Sequence, residues 1–483
     1  MLGYYHGLKG WSMAEGHIHV LGWFSLVLSI LSSLHVLLYK RNARSAIAWI
    51  GLIWLSPLLG ALLYPLFGIN RVRRRAMELR PGSSVSSDGS FSKLHRQQAE
   101  LESEILDFGR HVTGRPAVAG NQVLPLWGGD EAYPMMLEAI RNAKRSISMC
   151  SYIFDRDPAG LEFAEALGAA AARGVQVRVL LDDIGAHYSF WPMDWTLKKK
   201  GVRTARFLPV FSMRSVHLMN LRLHRKLLIV DGRTAFTGGM NIRQGNRLST
   251  APKRAIRDVQ FRVQGPVVGG LQDVFVEDWG YSTREVLQGE DWYPKEIPSA
   301  GKMICRPVVD GPDSHMETVR LLLQGAAASA RKSLLICTPY FLPDPILTAA
   351  LNVAALRGVR VQVLVPEHNN LPWCHWAMQG SIQELVKNGC EVYFAPGDFD
   401  HSKLFVVDQT WSLFGSSNWD ERSMRLNFEL NVECYDPELA THLSRRISER
   451  LLLSRRVGLA ELESLSFFVR VRDGFARLFV PYL

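Results

Sequence analysis

Cysteine is scarce: six in 483 residues, at positions 150, 305, 337, 374, 390 and 434, with no C-x-x-C pair. That spacing excludes a disulfide framework and a cysteine-built zinc site, and it fits a reducing compartment. Also missing are the G-x-x-x-x-G-K-[ST] loop that cradles nucleotide phosphates and the H-E-x-x-H helix of zinc hydrolases. No strong charge of one sign is present. The 56 Lys+Arg against 46 Asp+Glu leave a net charge of +10, a bias toward an anionic partner: nucleic acid, acidic membrane or phosphorylated substrate. What the chain has in quantity is apolar side chains, 47% of the total, over a length that calls for two or three domains.

Two apolar runs come first, Val20 to Tyr39 and Ala46 to Phe67. At about 1.5 Å per residue each reaches about 30 Å, the thickness of a hydrocarbon core. A cleaved signal peptide fits poorly, because the first run is longer than a usual signal core, no clear cleavage site follows it, and a second apolar run arrives after a short basic loop. Pro57 and Pro65 kink or shorten the second run, so two full spans and a re-entrant hairpin both stay open. The loop holds Lys40, Arg41 and Arg44, whereas the outer flanks hold Lys9 and the run Arg71, Arg73, Arg74, Arg75 and Arg80. That balance favours both termini in the cytoplasm. Gly82 to Ser92 is too small and polar to pack and is expected as a linker.

The rest of the chain is one unit written twice. Arg173-Gly-Val-Gln-Val-Arg-Val-Leu-Leu-Asp182 is echoed by Arg357-Gly-Val-Arg-Val-Gln-Val-Leu-Val-Pro366, and the stretch ending Cys150-Ser-Tyr-Ile-Phe154 by that ending Cys337-Thr-Pro-Tyr-Phe341. Helix, glycine cap and strand recur in both, the grammar of an α/β layer with a buried sheet. The expected organisation is a membrane anchor over 1–80, a linker and helix over 81–118, and two α/β domains over 119–295 and 296–483. The second ends in an amphipathic segment from Phe467. Duplicated domains pack about a pseudo-twofold axis, so their chemistry is expected at the seam.

Each half carries one pattern. His224, Lys226 and Asp231 precede Gly238 and Asn241; His401, Lys403 and Asp408 precede Gly415 and Asn418, at the same spacing. His and Lys two apart on a strand project from one face. Asn241 and Asn418, just past glycine turns, would join that face. Two imidazoles, two ammonium groups and two amides suit a phosphoryl group: four donors for the equatorial oxygens and one imidazole at each end of an in-line displacement. The lysines supply the charge that a divalent ion supplies elsewhere, so no metal is expected; no nucleotide is expected either, in agreement with the missing G-x-x-x-x-G-K-[ST] loop.

The doubled HxKxxxxD and GxxN pattern resembles the phospholipase D superfamily. With the apolar N-terminus, Thr338 to Phe341 and Asn427 to Asn431, the chain resembles the bacterial cardiolipin synthases over nearly its whole length. The resemblance puts His224, Lys226, Asp231, His401, Lys403 and Asp408 in the catalytic motifs, and it implies a covalent phosphohistidine on one histidine while the other serves as acid and then base. We assign attack to His224 and proton transfer to His401, which requires one neutral and one charged imidazole and a bell-shaped pH profile. Asp258 and Glu429 are the candidates to fix the imidazole tautomers, each in its own half, beside Asn241 and Asn418 in the substrate pocket. Asp231 and Asp408, at strand ends, are read as structural. The implied activity joins two phosphatidylglycerols into cardiolipin and glycerol at a bacterial inner membrane, as a multi-pass protein with a cytoplasmic catalytic body and no nucleic-acid partner. Hydrolysis to phosphatidic acid, in which water outcompetes the alcohol, and a different phosphatidyl donor, such as phosphatidylethanolamine, stay open; Arg243 to Ile256 lacks the aromatic-rich form associated with that family, which bears on the lipid acceptor more than on the reaction class. Tyr152, Phe154, Tyr340 and Phe341 follow strands and are equally fit for pocket or core.

Overall fold

A computed structural model describes residues 5–40, 43–65, 99–188, 191–209, 220–250, 255–313 and 315–480. The basic run Arg71 to Arg80 and the linker Gly82 to Ser92 lie outside the described residues. The chain divides into two units, Met1–Glu78 and Leu79–Leu483.

In the first unit, α1 (Tyr5–Tyr39) contains one stretch long and apolar enough to cross a membrane, Gly22–Tyr39. The second apolar run is not one helix but two, α2 (Ala43–Leu55) and α3 (Pro57–Leu63). The break falls at Ser56 because Pro57 has no N–H to continue the ladder and fits the first turn of a new helix instead. With 13 residues, α2 is about 20 Å long and falls short of the hydrocarbon core. Both pieces lie against α1: Trp54 Nε1 donates to Ser33 Oγ at 3.1 Å, and the His35 ring meets the Tyr64 hydroxyl at 2.8 Å.

The second unit is built on two sets of strands. The first is β1 (Val118–Trp127), β2 (Ser146–Ser151), β3 (Gln176–Asp182), β4 (Arg203–Phe207), β5 (Arg222–Leu223), β6 (Leu227–Val230), β7 (Thr234–Gly238), β8 (Ile256–Arg257) and β9 (Val259–Gln264). The second is β10 (Met303–Asp310), β11 (Ser333–Cys337), β12 (Arg360–Pro366), β13 (Glu391–Ala395), β14 (Phe399–Asp400), β15 (Leu404–Val407), β16 (Trp411–Gly415), β17 (Asn427–Tyr435) and β18 (Arg455–Arg456). From the centre outward the first half runs β1-β9-β7-β6-β2-β3-β4 and the second runs β10-β17-β16-β15-β11-β12-β13, the same order. Antiparallel pairing of β1 with β10 joins them, so the two halves share one continuous sheet. Each half keeps its own apolar core, including Ile147, Val179 and Phe163 in the first and Ile336, Val363 and Leu351 in the second. The helix Ala99–Thr113 leans on the second core through Ile105, and Arg306 Nη2 donates to the Leu106 carbonyl at 2.7 Å. All six cysteine side chains are buried and free.

The halves also exchange short strands. Next to His224, β5 pairs in parallel with the start of β17; next to His401, β14 pairs in parallel with β8. The exchange continues into the histidines: His224 N–H donates to the Phe428 carbonyl at 2.9 Å and His401 N–H to the Arg257 carbonyl at 2.7 Å. Asp182 secures β5, accepting Leu223 N–H at 2.9 Å beside the buried Arg222 guanidinium. Each motif histidine is thus held by the opposite half.

Candidate active site

The alternation of an extended chain sets the site. His224 and Lys226 share one face, and Lys226 Nζ returns to the His224 carbonyl at 2.6 Å; Lys403 does the same to the His401 carbonyl. Between them Arg225 points the other way, fully buried, with Nε donating to the Glu429 carbonyl at 3.1 Å and Nη1 paired with Asp278 at 2.5 Å. The sequence offers no sign of Arg225's role, because Asp278 lies on the distant helix Val267–Thr283.

The imidazoles are oriented across the seam. His224 Nδ1 meets the two Glu429 oxygens at 3.0 and 2.9 Å, and His401 Nδ1 meets Asp258 Oδ2 at 2.8 Å. Asp258 and Glu429 are the expected acids, but the expectation that each serves its own half is corrected. The cause is the strand exchange: β17 runs beside His224 and carries Glu429, whereas β8 runs beside His401 and leads directly into Asp258. Both carboxylates lie in contact with imidazole.

Asp231 and Asp408 bond to backbone, in keeping with the structural reading of the two strand-end acids. Asp231 accepts the N–H groups of Lys144, Arg145 and Ser146 at 3.0, 2.8 and 3.0 Å; Asp408 accepts those of Arg331, Lys332 and Ser333 at 2.8, 2.7 and 2.7 Å. Each caps the beginning of a central strand, at the far end of its own strand from the lysine and roughly 16 Å away along the chain. Their φ values of 53° and 51° are ones that aspartate tolerates better than most residues.

Glycine at 415 is required by the neighbouring strand: a Cβ there would come within 2.5 Å of the Asn431 backbone. The next position separates the halves. Ser416 Oγ donates to Glu429 Oε2 at 2.5 Å, and Asn427 Nδ2 donates to Oε1 at 3.0 Å. The counterpart of Ser416 is Gly239, where a Cβ would stand 2.6 Å from Asp258 Oδ1. Two side-chain donors beyond the imidazole therefore hold Glu429, whereas Asp258 has its own Val259 N–H at 2.8 Å.

Those differences set the proton affinities. Burial would raise Glu429, but His224, Lys226 and the Ser416 hydroxyl overcome it and hold the carboxyl below its ordinary range. Burial raises Asp258 to about 7 against the opposing pull of Lys403. Burial, with Lys226 and Lys403, pushes the His224 imidazole down to about 4 against Glu429. His401 lies well below its usual value, through burial first and then Lys403, Lys226 and His224. Burial also lowers Lys226 to about 7 and Lys403 to about 8. Each imidazole is acted on by the ammonium groups of both halves, as one shared site requires.

Asn241 and Asn418 are both buried beside these groups. Asn241 Oδ1 accepts Ile153 N–H at 3.1 Å, which turns its amide N–H bonds elsewhere; Asn418 Oδ1 has no protein partner among the described residues. The aromatic residues past the strand ends divide between core and site. Phe154 and Phe341 are in the core, while the Tyr152 ring packs 5.2 Å from His224 and Tyr340 reaches His401 through Phe399. Among the described residues no three His, Cys, Asp or Glu side chains gather as a metal-ligand set.

Two like halves that each give an imidazole, an ammonium and an amide to one seam define a phospholipase D-like protein. Comparison with known proteins narrows this. The family described as "Cardiolipin synthase, PLD-like domain" matches residues 136–251 and 323–451, and "Phospholipase_D-nuclease N-terminal" matches 27–68. The chain is 31% identical to the major cardiolipin synthase ClsA of Bacillus subtilis, covering 95% of this chain and 99% of that one. It is 28% identical to the cardiolipin synthase of Staphylococcus aureus, covering 95% and 96%. Phosphatidylserine synthase of Haemophilus influenzae has a similar fold, with a TM-score of 0.62 at 16% identity over 79% of this chain and 100% of that one. The chain belongs to the cardiolipin synthase family of phospholipase D-like enzymes.

Proposed function

We propose that the protein joins two phosphatidylglycerol molecules into cardiolipin and glycerol through a phosphohistidine, as a multi-pass protein of a bacterial inner membrane with its catalytic body in the cytoplasm. The observation that carries the chemistry is the crossed pair of imidazole–carboxylate contacts. In the first step His224 Nε2 attacks phosphorus, the bond to the departing glycerol oxygen breaks, and His401 gives that oxygen a proton. In the second, His401 takes the hydroxyl proton of the acceptor phosphatidylglycerol, whose oxygen attacks phosphorus while the P–N bond breaks. Lys226, Lys403, Asn241 and Asn418 hold the phosphoryl oxygens.

The asymmetry of the two acids supports this division of labour. An ionised Glu429 on Nδ1 stabilises the positive charge that builds on His224 as the P–N bond forms. The His401–Asp258 pair, with Asp258 raised to about 7, keeps one proton between its members near neutrality, as a general acid requires. Anionic phosphate between the two lysines also removes part of the repulsion that lowers both imidazoles.

Purified full-length protein given labelled phosphatidylglycerol in vesicles is expected to yield cardiolipin and one glycerol per turnover. Phosphatidic acid without cardiolipin would establish a hydrolase, and cardiolipin only on addition of phosphatidylethanolamine would establish that donor. The same assay across pH has an expected shape. kcat/KM rises as His224 loses its proton near 4, then falls above about 7 as the His401–Asp258 pair and Lys226 lose theirs. For kcat the alkaline limb moves upward, because bound phosphate holds those protons. A flat kcat/KM from pH 5 to 9 would contradict these assignments.

A further inference from the structure

The C-terminal helix Phe467–Arg477 packs with its amphipathicity inverted. It turns its small and polar side to the body: Asp473 and Ala476 are buried, Arg472 lies 4.8 Å from the Trp376 ring, and Arg477 donates to the Gly380 carbonyl at 3.2 Å. Phe467, Phe468, Val471, Phe475, Leu478 and Phe479 face outward, with Phe468 82% exposed. Their spacing of three and four residues makes one apolar stripe; the exposed Arg470 accompanies it, Arg477 is exposed at its edge although bonded to the body, and the helix's single acid is buried. An apolar stripe with exposed arginines matches an anionic lipid interface, where aromatic rings sit among the headgroups and basic side chains meet phosphate.

The first half repeats the feature at the same place in its fold. The helix against which Phe467–Arg477 packs, Pro372–Lys387, joins β12 to β13; the helix Met193–Lys199 joins β3 to β4. There Trp191 and Trp195 are exposed and stacked at 6.3 Å, with Lys199 Nζ 4.5 Å over the Trp195 ring. Side-chain contacts also lead toward the site from residues next to each of these helices. Tyr188 contacts Tyr152, which contacts His224. Asn370, two residues before the helix Pro372–Lys387, bonds to Tyr340, which leads through Phe399 to His401.

We propose that these two pseudo-symmetric strips, Trp191–Trp195 with Lys199 and the outer face of Phe467–Arg477, seat the catalytic body on an anionic bilayer surface with the mouth of the site toward the lipid. The docking goes beyond the reaction proposed above and holds whichever phospholipid the site takes.

The test uses the full chain in phosphatidylglycerol–phosphatidylethanolamine vesicles, with one cysteine introduced and labelled with an environment-sensitive dye. The six native cysteines are buried, so the added one is the reactive site. Dye at Phe468→Cys and at Trp195→Cys is expected to lose about half its emission or more to nitroxide-labelled lipid. Dye at Gln176→Cys, exposed at the opposite end of β3 from Asp182, is expected to keep its emission. If positions 468 and 195 behave like 176, the face is in water and the proposal is overturned; quenching by a nitroxide-labelled second copy but not by lipid would show that protein covers it. A second readout needs no dye. Phe468→Ser with Phe475→Ser is expected to slow turnover about tenfold on vesicles while sparing a short-chain monomeric lipid, and equal loss on both would also overturn docking.

Discussion

His224→Ala is expected to lower turnover at least about 10³-fold and to leave no phosphoenzyme with any donor, because the atom that bonds phosphorus is gone. His401→Ala should be equally poor on phosphatidylglycerol for another reason: the leaving alkoxide of glycerol has no proton donor. A donor with a p-nitrophenyl leaving group separates the two. That group departs without a proton, so His401→Ala should release one equivalent of p-nitrophenol in a burst and then stall, with no base to activate the incoming alcohol. Labelled phosphate should remain on the His401→Ala protein after alkaline denaturation and be absent from the His224→Ala protein. The reverse pattern would exchange the roles.

Such a mutation pair could be chosen from the sequence, because the spacing that places a lysine two residues after each histidine is a local property of an extended strand. The strand order within each half was legible for a similar reason: glycine-capped helices followed by Val- and Leu-rich runs mark β3 and β12 without ambiguity. What escaped was set by contacts between distant residues. β5 and β8 are two residues long and have no periodicity to detect, yet their pairing with β17 and β14 decides which acid meets which imidazole. Arg225 sits between two site residues and looks like one of them, but its buried partner Asp278 is 53 positions away. The second apolar run was legible as membrane-like by composition, and Pro57 marked its break, but how far one helix continued depended on Ser56 leaving helical geometry.

The crossed pairing makes the second large effect diagnostic. Glu429→Gln keeps the volume and removes the charge. The ring of His224 then loses the carboxylate that compensates its developing positive charge, and an amide N–H bond beside Nδ1 favours the tautomer whose Nε2 carries the proton and cannot attack. The expected loss in kcat is about 10² to 10⁴-fold, with little change in KM because Glu429 contacts imidazole and Lys226, Lys403, Asn241 and Asn418 are intact. Asp258→Asn acts on the other ring: it removes the partner with which His401 shares a proton near neutrality. With the p-nitrophenyl donor, Glu429→Gln should therefore copy His224→Ala and form no phosphoenzyme, while Asp258→Asn should copy His401→Ala and accumulate it. Glu429 lies in the half of His401 by sequence, so pairing within each half would give the opposite result. Ser416→Ala offers an intermediate case. It takes one donor from Glu429 and leaves the charge, so its carboxyl should rise toward the ordinary range and the loss should stay within about tenfold.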